Sequence, residues 1–513
     1  MKGKKMKKHG LAKLGQLFGN LSAGKISDYK YNRQNIAHWD LSPKSKWILK
    51  NINIVDVEKG KIHEENAILI NGAKFGKCLK QSDVETLLDK PEIEKVVDGK
   101  GYFLVPGMSD LHCHVSLVSE YGLKLSGLHY FDAQRMKNCE YALSKGCTTV
   151  RDSNGAHDMI NSLKDEIDNN RLLGPRILPS YTALTPQGGM WDLNPVANKM
   201  AEMIFGGKII NFPRNMEDIK RYIEEIVAMG SYSIKIFLED KPIYGGKEDF
   251  CYNMFTDDQV KYIRDLADEH EKLVESHALF IKGARKAIRG KVNSIAHLTL
   301  DESYSIKDAE MMVQNNVAIV PTLSLGSYLA MDCGTKGFPE HEEYKFFREM
   351  LQMYVKPNME RTTLPQLSNY YFSFYDFIQT KIEDRKMPGF GHVYPERCHG
   401  FGVYAPKSFE NFKKTGTKVG VGTDGGTGIC FAGALEIEFE SYLRYGYSTK
   451  EIVRMATLGN MEIIKMDDQL GSISENKWAD MLFIKDNPFE NVMSMTSPVK
   501  VFKEGRCYID NEV

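Results

Sequence analysis

Short apolar stretches near both ends of the chain predict β-strands. Near the start, residues 47–57 and 67–70 have strand patterns, and the second is followed by Asn71-Gly72, a typical hairpin turn. Residues 96–97 and 102–105 complete this first block, and residues 481–484 and 499–502 form a second one near the other end. Two short β-rich blocks that flank a long middle predict one β domain assembled from both chain ends.

The middle of the chain alternates between short β-rich stretches and helical patterns. The helical patterns include residues 216–229 and 257–270. The β-rich stretches are residues 148–150, 176–179, 233–237, 273–275, 294–296, 318–320 and 418–421. Such alternation is typical of parallel βα units, and about eight of them favour a barrel, in which functional groups lie at the C-terminal ends of the strands.

The segment 104–115 carries the first candidate chemistry. An apolar run enters it, a Pro-Gly bend follows, and His112 and His114 are separated only by Cys113. Side chains alternate faces along a strand, so the two imidazoles are expected on one face, where they can bind one metal ion. Because a pair of this spacing also occurs by chance, the metal interpretation depends on further ligands elsewhere.

Further candidates follow at the ends of predicted strands. Lys235 lies inside an apolar run, His277 and His297 end two successive strands, and Asp424 follows residues 418–421. Each is weak evidence alone, since lysines usually extend to the surface and single buried histidines are usually hydrogen-bonded core residues. Their common position at strand ends favours a shared site.

Composition indicates the class of protein and the cellular compartment in which it is expected. The chain has 513 residues, 42% hydrophobic residues and a net charge of −1, so it offers no electrostatic case for nucleic-acid binding. Its nine cysteines are scattered without a CxxC pair, which indicates a reducing compartment, and the cytoplasm is the expected location.

The first residues of the chain are basic. Residues 1–27 contain seven lysines and no acidic residue, and a short apolar stripe follows the first five lysines. They lack the continuous apolar region of a secretory signal, and no apolar run long enough to cross a membrane occurs in the chain. We expect a frayed or packed extension, with weak contact of residues 1–26 to an anionic membrane surface as the alternative.

Together these motifs resemble metal-dependent hydrolases of the amidohydrolase superfamily, in its imidazolonepropionase-like and Xaa-Pro dipeptidase-like branch. The resemblance runs from about residue 47 to the end of the chain, with a poorly matched gap near 326–412. The residues that carry it are VPG at 105–107, HCH at 112–114, GCTTVRD at 146–152, GPR at 174–176, IKI at 234–236, His277, IAH at 295–297, PTLS at 321–324, GTD at 422–424, AT at 456–457, GSI at 471–473 and the segment 479–488.

The resemblance implies an α/β fold, a (β/α)8 TIM-like barrel with a β-sandwich domain formed from both chain ends. On this basis residues 1–44 are a basic N-terminal extension, and residues 45–107 with 469–513 form the β-sandwich. Residues 108–468 form the hydrolase barrel, which contains an aromatic-rich insertion at about 326–412.

The resemblance also implies two divalent metal ions as cofactors, with zinc expected from imidazole and carboxylate ligands. His112, His114 and Asp424 would hold one ion and His277 with His297 the other. Lys235, carboxylated by carbon dioxide, would bridge them, since an unmodified ammonium cannot ligate cations. A hydroxide that bridges the metals would attack the substrate, and Asp424 would be the catalytic residue that passes its proton to the leaving group.

The implied reaction is hydrolysis of an amide or peptide-like C–N bond in a small-molecule or peptide-like substrate. Deamination is less favoured, because deaminase branches lack the bridging lysine and often carry Glu three residues after the later histidine, where this chain has Phe280. Two alternatives stay open. The same centre can act on a lactone, carbamate or phosphoester, or the chain is a non-catalytic paralogue that serves as a scaffold.

Departures from the resemblance concern the substrate. Positions that hold histidine and tyrosine in many dipeptidase-like relatives are Met190 and Leu279 here, which disfavours a free-carboxylate dipeptide and favours a bulky or apolar substrate. The candidate substrate-binding residues are Met190, Trp191, Tyr244, Leu279 and Arg151, although Arg151 can equally be a packing residue.

The aromatic segment around residues 370–378 predicts a helix that is apolar over a wide arc. It can form core, a dimer interface of a homo-oligomer, or a lid over the metals. His392 and His399 lie in a loop pattern and are weak candidates for a second metal site.

Overall fold

A computed structural model describes residues 45–88, 90–118, 130–192, 198–199, 202, 206–241, 251–329, 341–380 and 400–512. The strands are β1 Lys46–Asp56, β2 Lys61–Asn71, β3 Lys74–Leu79, β4 Ile93–Asp98, β5 Phe103–Pro106, β6 Met108–Cys113, β7 Cys147–Asp152, β8 Arg176–Pro179, β9 Ala183–Leu184, β10 Ile210–Asn211, β11 Ser233–Phe237, β12 Leu273–His277, β13 Ser294–Ala296, β14 Ala318–Val320, β15 Met481–Ile484, β16 Lys500–Lys503 and β17 Arg506–Asp510. The helices are α1 Gln81–Leu88, α2 Phe131–Ser144, α3 His157–Asp168, α4 Met216–Ala228, α5 Asp257–Glu269, α6 Ile281–Arg289, α7 Ile306–Asn315, α8 Ser324–Leu329, α9 Glu342–Met350, α10 Lys356–Thr362, α11 Pro365–Gln379, α12 Gly400–Thr415, α13 Glu436–Arg444, α14 Thr449–Arg454 and α15 Asn460–Ile463.

One β-sheet draws its strands from both ends of the chain, as the apolar pattern predicts. Its order is β17-β16-β15-β5-β1-β2-β3, and β4 pairs with the outer part of β1. Antiparallel pairing of β5 with β15 joins the two chain ends, with Leu104 opposite Phe483. Trp47 and Phe483 both pack on Phe502, at ring-centroid distances of 5.9 and 5.0 Å, so one apolar cluster holds the strands of both ends together.

Parallel strands alternate with helices through the middle of the chain. They form a three-stranded sheet β6-β7-β8 and a six-stranded sheet β10-β9-β11-β12-β13-β14. Helices α4, α5 and α7 each begin directly after a residue whose side chain accepts a hydrogen bond from a backbone N–H of the first turn. These residues are Asn215, Thr256 and Ser305. Each buries one apolar stripe.

The predicted strand 418–421 is wrong as a regular element, although its position is informative. Within the described residues it makes only an isolated parallel bridge, between Val419 and Ile319 of β14. The Asn460 side chain accepts from Val421 N–H at 2.8 Å and donates to its carbonyl at 3.1 Å, so a side chain takes the place of a strand partner. Leu111 N–H of β6 also donates to that carbonyl, at 2.9 Å. The segment therefore lies between β14 and β6 and links the two parallel sheets.

Two predicted regions lie wholly or partly outside the described residues. The basic segment 1–44 is not described, and the predicted insertion is described only in the ranges 326–329, 341–380 and 400–412. There the aromatic segment is helix α11, which buries Leu367, Tyr371, Phe374, Tyr375 and Ile378. No helix in the described part of the chain is long and apolar enough to span a membrane.

Candidate metal centre

His112 and His114 lie at the carboxyl end of β6 and face Asp424. Nε2 of His112 is 3.3 Å from Asp424 Oδ1, and Nε2 of His114 is 3.1 Å from the same oxygen. All three side chains are buried, and one donor atom from each lies within 4.8 Å of the others. Strand alternation thus places both imidazoles on one side, as the spacing predicts.

Close approach of the Asp424 segment to β6 depends on glycines. A Cβ on Gly426, whose φ is +105°, would lie 2.0 Å from the His114 carbonyl oxygen, and one on Gly425 would lie 2.0 Å from Ala432 N. The buried Asp110 carboxylate fixes the two segments to each other, because it accepts from Thr423 N–H at 3.0 Å and from His112 N–H at 3.2 Å. This contact sets the position of Asp424 relative to His112.

His277 and His297 form a second pair. His277 is the last residue of β12 and His297 follows β13, and His277 Nδ1 is 2.8 Å from His297 Nε2. The rings of His112 and His297 are 4.8 Å apart, so the two pairs are adjacent. The structure therefore brings together the histidines of four separate chain positions with Asp424.

The second nitrogen of each histidine faces an acceptor. His114 Nδ1 is 3.2 Å from the Asn154 carbonyl oxygen, and His112 Nδ1 forms a short hydrogen bond to Glu275. His297 Nδ1 is 2.7 Å from the Thr322 hydroxyl, which itself donates to the Pro321 carbonyl, whereas His277 Nε2 lies 3.2 Å from Glu239 Oε1 without a hydrogen bond. At His112, His114 and His297 these acceptors favour the ring hydrogen on the outer nitrogen.

The inner nitrogens therefore converge on the centre. Nε2 of His112 and of His114 face the Asp424 carboxylate, and Nδ1 of His277 faces Nε2 of His297. Acceptors that face each other at about 3 Å repel unless a positive charge lies between them. Imidazole nitrogens and a carboxylate are ligands that divalent transition metals accept, so the residues present fit such an ion.

The pKa values of several of these buried residues are shifted by burial and by one another. Burial, aided by neighbouring positive charge, lowers the pKa values of His277 and His297 well below their usual range, so both stay neutral. Burial opposes ionisation of Asp424, but its hydrogen bonds with His112 and His114 outweigh it and hold its pKa well below the usual range. The pKa of His114 is raised, since its contact with Asp424 outweighs the effect of burial.

Lys235 points into the same interior. It lies in β11 opposite Glu275 of β12, its side chain is 1% exposed, and Nζ is 3.2 Å from Glu275 Oε1. Burial lowers the pKa of Lys235 and Glu275 partly offsets this effect. As an ammonium group Lys235 pairs with Glu275 and cannot ligate a metal, so its predicted bridging role depends on the predicted carboxylation.

Glu275 and Glu239 are functional candidates that the sequence reasoning missed. Glu275 is two residues before His277 on one strand, so period-two alternation places both on the same face, and this signal was available. Glu239 follows β11 by two residues and had no comparable signal, because its contact with His277 arises from the fold of the loop.

The predicted substrate-binding residues have different positions. Arg151 is fully buried within β7, where Nε donates to the Leu111 carbonyl at 2.7 Å and lies 3.2 Å from Glu275 Oε2, so it belongs to the interior rather than to an open mouth. Leu279 is also buried, in the apolar core, and its N–H donates to Glu239. A substrate can reach neither side chain without rearrangement of this packing.

Met190 and Trp191 are more accessible. Met190 is half-buried against an apolar cluster of Ala183, Ile210 and Phe237, and Trp191 is 48% exposed. The Phe237 ring centroid lies 4.9 Å from that of His277, so this cluster adjoins the second histidine pair. Tyr244, His392 and His399 lie outside the described residues.

Comparison with known proteins places these features in a family context. The model of the amidohydrolase family matches residues 103–507. Among solved structures, a Xaa-Pro dipeptidase with bound methionine aligns with a TM-score of 0.68 at 20% identity and covers 90% of this chain and 100% of its own. The ochratoxinase of A. niger aligns with a TM-score of 0.65 at 17% identity and covers 91% of this chain and 95% of its own.

A molinate hydrolase also aligns, with a TM-score of 0.65 at 15% identity, and covers 91% of this chain and 95% of its own. At these identities the likeness shows the fold, a TIM-like barrel with a β-rich domain. No curated protein sequence matches the chain.

Proposed function

The chain belongs to the amidohydrolase family, and from this premise we propose that it is a binuclear metal-dependent hydrolase that cleaves an amide or peptide-like C–N bond. The observation that carries the proposal is the convergence of histidine nitrogens and the Asp424 carboxylate on one buried centre. His112, His114 and Asp424 would hold one divalent ion, and His277 with His297 the other. Zinc is the metal that we propose, and carboxylated Lys235 is the bridge.

Bound ions would supply the nucleophile, by ionising the water that they share, and would polarise the scissile carbonyl. Asp424 keeps its carboxylate ionised next to two imidazoles, so it can accept a proton from the attacking water and deliver it to the leaving nitrogen. The departing amine requires a proton, and Asp424 would supply it.

We further propose that the parallel strands close into a (β/α)8 barrel. The segment 418–421 joins β14 to β6 through the bonds described above. At the other break between the sheets, Tyr232 N–H, which precedes β11, donates to the Pro179 carbonyl of β8 at 2.7 Å, and the hydroxyls of Ser180 and Ser233 are 2.7 Å apart. These contacts support a cyclic order of β6, β7, β8, β11, β12, β13, β14 and 418–421.

For the substrate we propose an amide with a bulky apolar group. Support comes from Phe237, whose ring lies beside that of His277, and from Met190, which packs against the apolar cluster that contains Phe237. The molinate hydrolase among the similar structures is a hydrolase by its name, which supports the reaction class.

Metal content and the substitution Lys235→Ala test the proposed function. We expect close to two divalent ions per chain in the purified protein, and we expect the substitution to abolish hydrolysis and to remove at least one ion. Lys145→Ala is a matched control, because it also removes a buried lysine that pairs with a buried glutamate, Glu436, but contacts none of the predicted ligands.

A panel of amides, lactones, carbamates and phosphoesters identifies which kind of bond the protein cleaves. A natively folded protein that binds no metal and hydrolyses none of them would contradict the proposal.

A further inference from the structure

Glu275 is a buried carboxylate that contacts several groups next to the predicted ligands. Its Oε1 accepts from His112 Nδ1, from the Ser153 hydroxyl at 2.9 Å and from Lys235 Nζ at 3.2 Å. Its Oε2 lies 3.2 Å from Arg151 Nε. The side chain is fully buried.

We propose that Glu275 is a positioning residue of the metal centre. It holds the Nδ1 hydrogen of His112 and directs His112 Nε2 toward Asp424, and it keeps the Lys235 side chain beside the centre. This inference rests on the proposed function, because it assigns a role relative to the ion that His112 would ligate.

The hydrogen-bond chemistry of a carboxylate explains the role. An ionised carboxylate only accepts hydrogen bonds, so His112 can meet it only with an N–H at Nδ1, and the Nε2 lone pair is then fixed on the inner side. Carboxylates behind ligating histidines fix ring orientation and raise ligand basicity, and their loss lowers metal affinity roughly 10- to 100-fold.

Arg151 provides Glu275 with a countercharge that does not depend on Lys235. The guanidinium is buried, its Nε lies 3.2 Å from Glu275 Oε2, and the same Nε donates to the Leu111 carbonyl at 2.7 Å, which fixes its position. Glu275 therefore has a positive neighbour that does not depend on the state of Lys235.

Glu275→Gln tests the inference, because the amide keeps the shape but must turn its NH2 group toward Arg151 or toward His112 and Lys235. With the NH2 group toward His112 the hydrogen bond from His112 is lost, and with it toward Arg151 the bond is weakened, because a neutral amide oxygen replaces a carboxylate oxygen as its acceptor. We expect Zn²⁺ affinity of the metal-free protein, measured by competition with a chromophoric chelator, to fall 10- to 100-fold at one site. Glu275→Asp, which keeps a carboxylate, should recover part of this loss and serves as a second variant if Glu275→Gln folds poorly.

Glu436→Gln is the matched control, because Glu436 is also buried and pairs with a buried lysine, Lys145. It should lower the melting temperature and leave Zn²⁺ affinity within twofold of wild type. Equal Zn²⁺ affinities of Glu275→Gln and Glu436→Gln would overturn the inference.

A second readout needs no metal. In protein labelled with ¹⁵N-histidine, His112 should show the tautomer with hydrogen on Nδ1, and Glu275→Gln should shift it toward Nε2. If wild type binds no metal, the proposed function fails; if His112 carries its hydrogen on Nε2 in wild type, the inference about Glu275 fails on its own.

Discussion

Three residues around the centre adopt a backbone conformation that their side chains disfavour. His297, Thr322 and Asp424 have φ values of +76°, +52° and +56° although none is glycine. Each costs of order 1–3 kcal/mol, and the effect is strongest for a β-branched residue such as Thr322. Sequence patterns identified His297 and Asp424 as candidates by their position at strand ends. Thr322 belongs to the motif 321–324 of the resemblance but received no role, because its contact with His297 Nδ1 depends on this local backbone turn.

Glu438 yields a prediction about pH and stability. Ser324 donates to its Oε1 from N–H at 2.7 Å and from the hydroxyl at 2.9 Å, whereas Oε2 has no partner among the described residues. Burial raises the pKa of Glu438 from 4.5 to about 8. The folded chain thus holds a proton that the unfolded chain releases between these pH values, and stability from this group is present below pH 4.5 and lost as pH rises through 8.

Glu438→Gln mimics the protonated side chain at every pH. We expect the variant and wild type to have similar free energies of unfolding near pH 5. Near pH 8.5 the variant should be more stable, by roughly 3–5 kcal/mol if the full shift is expressed. Urea denaturation across this pH range measures the difference. A difference that does not change with pH would show that Glu438 is not protonated in the folded chain.

At the scale of elements, the sequence predicted strands and helices best where one face is clearly apolar. The strands 176–179, 233–237, 294–296 and 318–320 have the bounds of β8, β11, β13 and β14, because each is a short apolar run between polar turns. The prediction failed at 418–421, where Asn460 from a distant helix supplies hydrogen bonds that a strand partner would make. Local periodicity cannot report such a long-range contact.

The aromatic helix α11 was predicted as a helix, but its neighbours were not. Its wide apolar arc indicated burial, and two interpretations stayed open: core or interface, and a lid. In the structure Tyr371 stacks on Phe431, seven residues after Asp424. This contact connects the helix with the Asp424 segment, and it is compatible with the core interpretation and with the lid.

Arg176 at the start of β8 joins the parallel sheet to the sheet built from the chain ends. Asp480 directly precedes β15 and accepts from Arg176 Nη1 at 2.7 Å. Glu504 directly follows β16 and accepts from Arg176 Nη2 at 2.8 Å. Burial opposes the charge of Arg176, but the two carboxylates outweigh it and raise its pKa. Asp480 is only 2% exposed, so removal of Arg176 would leave a buried carboxylate without its positive partner.

Arg176→Met is therefore expected to lower the free energy of unfolding by roughly 3–5 kcal/mol. Arg171→Met removes a comparable bidentate partner from Glu166, but this pair is about half exposed and should contribute less than roughly 1 kcal/mol. Chemical denaturation of both variants measures the two costs. Equal costs would mean that the contact between the sheets does not depend on Arg176.

At the scale of the whole molecule, the sequence predicted which parts of the chain meet but not how the centre is held. Both chain ends join one sheet through Leu104 and Phe483, as their apolar pattern indicated. The predicted ligands also meet, since His114, His277 and His297 end or follow parallel strands, His112 and Lys235 lie within them, and Asp424 follows the segment 418–421. Of their supporting groups, Glu275 could be inferred from its alternation with His277 on one strand, whereas Glu239 and Asp110 are single buried polar residues that no pattern in the chain distinguishes from others.

This organisation predicts how the molecule responds to metal removal. The predicted ligands lie on strands that belong to a large apolar core, so the fold does not depend on the ion as that of a small metal-stabilised domain does. A ligand that binds only the folded state nevertheless stabilises it, by about 2.7 kcal/mol at a concentration 100 times its dissociation constant. Chelated protein should therefore keep its far-ultraviolet circular dichroism spectrum and melt several degrees lower, and Zn²⁺ should restore the melting temperature.

The double variant His112→Ala, His114→Ala should respond less to Zn²⁺, because it retains only the second histidine pair. A melting temperature that is unchanged by chelation and by Zn²⁺ in wild type would mean that the convergent nitrogens hold protons rather than metal.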